Sequence, residues 1–166
     1  AVFRRTTPPP HSAWSGSGPG VAADLGLDSL LATAREAADA AASIHQRDAG
    51  KVGVTDASEK ARADYVSVTD LDAQAAALAV IERKHPDHML LAEESDEPVE
   101  QQLARWDGRP LWIVDPLDGT ANFLHSNPQY CSSVAVAVEG RPVVGAVTCG
   151  SSAERWWAAE GVGAFK

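Results

Sequence analysis

Basic residues are scarce in this sequence. Fourteen lysines and arginines stand against 23 aspartates and glutamates, for a net charge of −9. That imbalance argues against a nucleic-acid backbone or an anionic membrane surface as the main partner, since both repel an acidic protein. An anionic small molecule stays within reach, provided metal ions bridge the two. Cysteine is nearly absent. Cys131 and Cys149 make no CxxC pair and have no histidine at ligand spacing, so no thiolate metal motif is present. They read as buried thiols of a reducing compartment, with a single disulfide as the alternative. No apolar run reaches membrane-spanning length, and no internal repeat is visible. Acid is missing altogether from residues 1–23, AVFRRTTPPPHSAWSGSGPGVAA, where Arg4 and Arg5 sit among Pro, Ser, Thr and Gly. This stretch is expected to be a disordered leader, either a plain flexible segment or the remnant of an organelle-targeting peptide. A cytoplasmic or organellar location follows from the two alternatives.

What remains is ample for one domain. The chain has 166 residues, 45% of them hydrophobic, and residues 24–166 carry the ordered patterns. From Asp24 to Gly50, Leu27, Leu30, Leu31, Ala34, Ala37, Ala38 and Ala41 recur at helical spacing, which predicts a first helix. A second is predicted over TDLDAQAAALAVIERKHP, with Thr69 or Asp70 as its cap and Pro86 just beyond its end. Val52–Thr55 and Tyr65–Val68 read as short β segments around a polar link. HMLLAEES and Leu111–Val114 read as strands, with a short helical piece around Gln101–Arg105 between them. CSSVAVAVEG and RPVVGAVTCG form a hairpin about Glu139-Gly140, and AERWWAAEG extends it. Two helices followed by a largely antiparallel sheet predict an α+β layered fold.

The chemistry concentrates where apolar segments end in acid: YVSVTD at Asp70, MLLAEE at Glu93 and LWIVD at Asp115. Strands of one sheet can bring such ends together, and gathered carboxylates repel one another unless cations neutralise them. Oxygen-only ligands suit hard ions such as Mg²⁺, which also bind phosphate. Asp118 adds a carboxylate and reads as the N-cap of a short helix, GTANFLH, whose free N–H groups would face a phosphate. Gly119 permits close backbone approach, and the Thr120 hydroxyl can bond water or a phosphate oxygen. Taken singly, Asp70 and Asp118 are capping residues, and Glu93 and Glu94 a solvated loop edge. Joined at strand ends, with Gly-Thr following, they balance between that reading and a metal site. An EF-hand is excluded by the missing alternation of acids. D-x-x-D-G-T is one residue longer than the D-x-D-x-T of the haloacid-dehalogenase phosphatases, which argues against an aspartyl-phosphate nucleophile. His85 and His88, either side of Pro86, read as exposed turn residues.

DPLDGTANFLH, preceded by AEES and earlier by VSVTDLD, resembles the inositol monophosphatase family of Mg²⁺-dependent, lithium-sensitive phosphatases. The resemblance runs from near Asp24 through GVGAF. It implies a layered α/β sandwich, commonly a homodimer, that hydrolyses a phosphate monoester, inositol monophosphate first, through activated water and without a covalent intermediate. By the same resemblance Glu93, Asp115 and the Leu117 carbonyl would hold a first metal, and Asp115 with Asp118 a second. Asp118, Gly119 and Thr120 would meet the substrate phosphate. Asp70, Glu93 and Thr120 would orient and deprotonate the attacking water. One departure stands out: the family completes its site with an aspartate in a later W-D-x-A-A pattern. RWWAAEG here has no Asp after either Trp, and the sequence corresponds to the N-terminal half only, so activity of this stretch alone is in doubt. The alternative is a non-catalytic metal-binding or interaction module.

Overall fold

The computed structural model describes residues 26–166 apart from 62, 63 and 96. The expected leader, residues 1–23, lies outside the described residues. Helix α1 (Leu27–Asp48) buries the predicted stripe of Leu27, Leu30, Ala34, Ala37, Ala38 and Ala41, and continues it to His45 and Asp48. Helix α2 (Val68–Lys84) lies against it, burying Ala73, Ala77, Val80 and Ile81. Alanine on both facing stripes lets the two helices approach closely.

Both helices cover one face of a six-stranded sheet of order β3-β4-β5-β6-β7-β8. Its strands are β3 (Met89–Ala92), β4 (Leu111–Asp118), β5 (Cys131–Val138), β6 (Arg141–Cys149), β7 (Arg155–Ala159) and β8 (Gly163–Phe165). Only β3 and β4 run parallel; every other neighbouring pair is antiparallel. The β5–β6 turn at Glu139 and Gly140 has both residues at positive φ, the conformation a two-residue hairpin needs. Trp112, Val114, Val134, Val136, Val144 and Ala146 point at the helices and form the core. Each large member contributes roughly 1.5–3 kcal/mol of burial. Alternation sends Ile113, Ala135, Gly145, Val147 and Ala158 to the opposite face. There Ile113 is 38% exposed, and open apolar grooves of about 590 and 310 Å³ run over β5–β8. Short helices α3 (Val99–Ala104) and α4 (Thr120–Leu124) precede and follow β4.

The α+β architecture is as the sequence predicts, with local corrections. Val52–Thr55 is not a strand; Val54–Asp56 forms a 3-10 turn. The hairpin instead pairs β1 (Ser58–Ala61), inside the presumed polar link, with β2 (Asp64–Val66). A two-stranded ribbon needs backbone pairing, not an apolar face, so composition hid it. Val68 opens α2 rather than closing a strand. His85 and His88 are half-buried, stacked on each other at 4.7 Å, and Trp112 Nε1 donates to His88 Nδ1 at 3.0 Å. Burial holds both imidazoles below their usual pKa. The sequence reading had them exposed, because the turn concealed the Trp112 ring beneath it.

Candidate active site

β4 was expected to stop at Val114 but runs on to Asp118, through Pro116. Its register against β5 explains how. Asp115 lies opposite Ser133 and Asp118 opposite Cys131, three residues on one strand against two on the other. That extra residue is a β-bulge, and a bulge tolerates the missing N–H of Pro116. It also changes the face. In a regular strand, residues three apart point to opposite sides. Opposite Ser133 and Cys131, which share a face, Asp115 and Asp118 both point away from the helices.

Glu93 arrives from the neighbouring parallel strand. Ala92 pairs with Val114, and the Glu93 N–H donates to the Val114 carbonyl at 3.1 Å. The two parallel strands therefore release Glu93 and Asp115 side by side. Asp115 is half-buried, and its Oδ1 is fully buried without a hydrogen-bond partner. Burial first, then the charge of Glu93 and a hydrogen bond shared with it, then the charge of Asp118, push the Asp115 carboxyl up to about 8. A Leu117 N–H donating to it pulls the other way. Among the described residues no three acid, histidine or cysteine side chains close into a metal-holding group. The carboxylates meet as the Glu93–Asp115 pair, with Asp118 acting on it by charge. The donor set nonetheless fits a hard cation. A buried oxygen without a donor, beside two further carboxylates, is satisfied by positive charge of the kind a hard cation carries.

Asp70 sits on α2, not at a strand end, and is neither the cap nor exposed. Ser67 is the N-cap, and Asp70, three residues on, closes a capping box with it. Its Oδ2 accepts from Ser67 N at 2.8 Å and Ser67 Oγ at 2.6 Å, and only 1% of the residue is exposed. The other oxygen, Oδ1, faces the motif and accepts from Thr120 Oγ1 at 2.9 Å. Thr120 Oγ1 also lies 3.0 Å from the Leu117 carbonyl. A hydroxyl has one proton, and the charged acceptor makes the stronger bond. With the proton on the Asp70 side, the Leu117 carbonyl keeps its lone pairs for another partner.

Asp118 is exposed and does not cap α4. Gly119 holds that position at φ 91° without a side-chain cap. A Cβ on Gly119 would stand 2.8 Å from the Gln129 carbonyl, so only glycine fits. Asn122 Nδ2 donates to that same carbonyl at 2.8 Å, tying α4 to the segment before β5. Beside Asp118 and Gly119 opens a cavity of about 560 Å³, with Tyr130, Cys131 and Cys149 also in its wall. Cys131 Sγ lies 3.9 Å from Asp118 Oδ2, and burial, with the Asp118 charge next, pushes its thiol up to about 11.

One supporting residue escaped the sequence reading. His45, 0% exposed, has Nε2 at 2.8 Å from the Pro116 carbonyl. A carbonyl only accepts, so Nε2 carries the proton and the buried Nδ1 is left without a partner. Burial lowers its pKa and keeps the ring neutral. A Cβ on Gly150 would come within 2.6 Å of His45 Cβ, so the glycine makes room for the ring. The signal was present: His45 follows Ala34, Ala38 and Ala41 on the buried stripe of α1. It pins the bulge of β4 to the end of α1.

A sequence model described as the inositol monophosphatase family matches residues 26–166. An inositol-1-monophosphatase of Synechocystis sp. is 43% identical over 107 residues, covering 64% of this chain and 36% of that protein. An inositol-1-monophosphatase of Rhizobium meliloti is 40% identical over 120 residues, covering 72% of this chain and 43% of its own length. The crystal structure of extragenic suppressor protein suhB from Bartonella henselae superposes with a TM-score of 0.71 at 34% identity. That match covers 82% of this chain and 50% of the other. The chain thus spans half or less of the length of these relatives.

Proposed function

The chain belongs to the inositol monophosphatase family, and from that premise we propose that it forms the metal- and phosphate-binding part of a Mg²⁺-dependent phosphomonoesterase acting on an inositol monophosphate. The observation that carries this reading is the partnerless, buried Oδ1 of Asp115 beside Glu93 and Asp118. When bound there, Mg²⁺ would supply charge that neutralises phosphate oxygens and acidifies a nearby water. Glu93 and Asp115, with the Leu117 carbonyl as a neutral ligand, would hold a first ion, and Asp115 with Asp118 a second.

The chain's own groups divide the remaining work. The Thr120 hydroxyl, its proton turned to Asp70, presents an oxygen lone pair that can accept a hydrogen bond from the attacking water. Asp70, held by Ser67 on its far side, fixes that orientation. Glu93, exposed at its strand end, takes the water's proton. Gly119 and Thr120 open a helix whose first N–H groups lack intrahelical partners and suit a phosphate. As the family resemblance implies, attack on phosphorus comes directly from water, without a covalent intermediate.

A second reading, a non-catalytic metal-binding or interaction module, is favoured by the open apolar face over β5–β8. One experiment separates the two. Mg²⁺-dependent phosphate release from inositol 1-phosphate is measured for the purified chain and its Asp115→Asn variant, with Mg²⁺ binding followed by calorimetry. Release that the variant loses supports the hydrolase. Asp115-dependent Mg²⁺ binding without release supports the second reading, and neither signal refutes both.

A further inference from the structure

Cys131 and Cys149 are far apart in sequence but lie directly opposite one another on β5 and β6. Register partners in an antiparallel pair point to the same face, here the face that carries Asp115 and Asp118. The backbone of Cys149 settles what kind of pair this is. Its N–H donates to the Glu154 carbonyl at 2.9 Å, and its carbonyl accepts from Ala153 N at 2.9 Å. Both groups therefore point away from β5, so Cys131 and Cys149 form a non-hydrogen-bonded pair. Such pairs bring their Cα atoms to about 4.5 Å, closer than hydrogen-bonded ones. A disulfide spans Cα separations of about 4.4–6.8 Å. Both thiols are free and half-buried, and both line the open cavity of about 560 Å³ beside Asp118.

We infer that Cys131 and Cys149 are a thiol–disulfide exchange site, closing a reversible cross-strand bond on the wall of this cavity when met by a small-molecule disulfide. The thiolate of Cys149, one strand further from the Asp118 carboxylate than Cys131, attacks a sulfur of the oxidant and releases one reduced thiol, leaving a mixed disulfide. The second cysteine attacks the protein sulfur of that bond and expels the other reduced thiol. Two protein S–H groups are oxidised and one oxidant disulfide is reduced to two thiols. The row of pairing continues to β4, where Asp118 is the register partner of Cys131. Closing the bond removes the S–H hydrogen that lies beside the Asp118 carboxylate. Oxidation therefore changes what Asp118 offers a cation, a consequence that rests on the proposed metal site, whereas the bond itself does not.

The test is equilibration of the full chain with oxidised and reduced glutathione at graded ratios, read by intact mass, thiol titration and peptide mapping, without metal. The expected result is a species lighter by two hydrogen atoms, with both thiols lost together, a crosslink between the two cysteine peptides, and full recovery on reduction. Cys131→Ser should instead accumulate glutathione on Cys149. Wild-type protein that keeps both thiols, or carries glutathione on either without a crosslink, would overturn the inference. A second arm compares Mg²⁺ affinity of the reduced and oxidised chains by calorimetry, with a several-fold difference expected. Equal affinities would overturn the coupling to Asp118. Absence of Mg²⁺ binding in both states, with the crosslink formed, would count against the metal site instead.

Discussion

Asp115→Asn should make the metal-free protein more stable while abolishing its response to Mg²⁺. The folded chain holds the Asp115 carboxyl at about 8 against an ordinary value of 3.8. Between those values the folded protein keeps a proton that the unfolded chain has released. Stability of the metal-free wild type therefore falls as pH rises from about 4 to about 8. At pH 7 roughly three pH units of this window have been crossed, at about 1.4 kcal/mol each, which sets a ceiling of about 4 kcal/mol. The half-buried group keeps part of its contact with water, and screening reduces the figure to about 1–3 kcal/mol. Asparagine occupies the same space with no charge to lose, so the variant escapes this cost. In a chain of this size each kcal/mol corresponds to about 2–4 °C in melting temperature. Melting curves in a chelator at pH 5 and pH 8 should show the variant above wild type, by more at pH 8. Added Mg²⁺ should then raise the wild type and leave the variant unmoved. A variant that melts below wild type at pH 8, or that Mg²⁺ stabilises equally, would refute the assignment of Asp115 as a cation ligand.

Three further outcomes follow from the site. Thr120→Val strips the donor from Asp70 Oδ1, which is buried; it should cost about 1–3 kcal/mol in chemical denaturation, with Thr120→Ser restoring the stability. Gly119→Ala forces a Cβ against the Gln129 carbonyl at φ 91°; a loss of roughly 1–3 kcal/mol is expected, and an unchanged melting temperature would show that the segment before β5 can move aside. Ser67→Ala removes the cap of α2 and one of the two Ser67 donors to Asp70; thermal unfolding should report a loss of about 0.5–2 kcal/mol.

Local pattern carried much of the architecture. The Leu27–Ala41 stripe placed α1, and the alternation in CSSVAVAV and RPVVGAVT placed β5 and β6, because periodicity records which side of an element is buried. It failed where pairing is a backbone matter, as at β1 and β2, or where a polar residue follows an apolar stripe, as at His45. Asp70 shows the same limit. In sequence it looked like a strand end or a cap, yet its role is set by two neighbours: Ser67 beside it and Thr120, which the fold delivers from β4's far end.

By itself the sequence determined the inventory: which acids end apolar segments, which glycine and threonine follow Asp118, and hence that an oxygen-rich site for a hard cation was open to the chain. The family resemblance named roles for those residues. Only the tertiary structure decided that they converge. A parallel β3–β4 pairing puts Glu93 beside Asp115, and one extra residue in β4 turns Asp118 to the same face. The pairing of Cys131 with Cys149 was decided in the same way. Facing is a property of register between strands, and register is fixed by the burial of Val134, Val136 and Val144 against α1 and α2, not by any residue near the acids or the thiols.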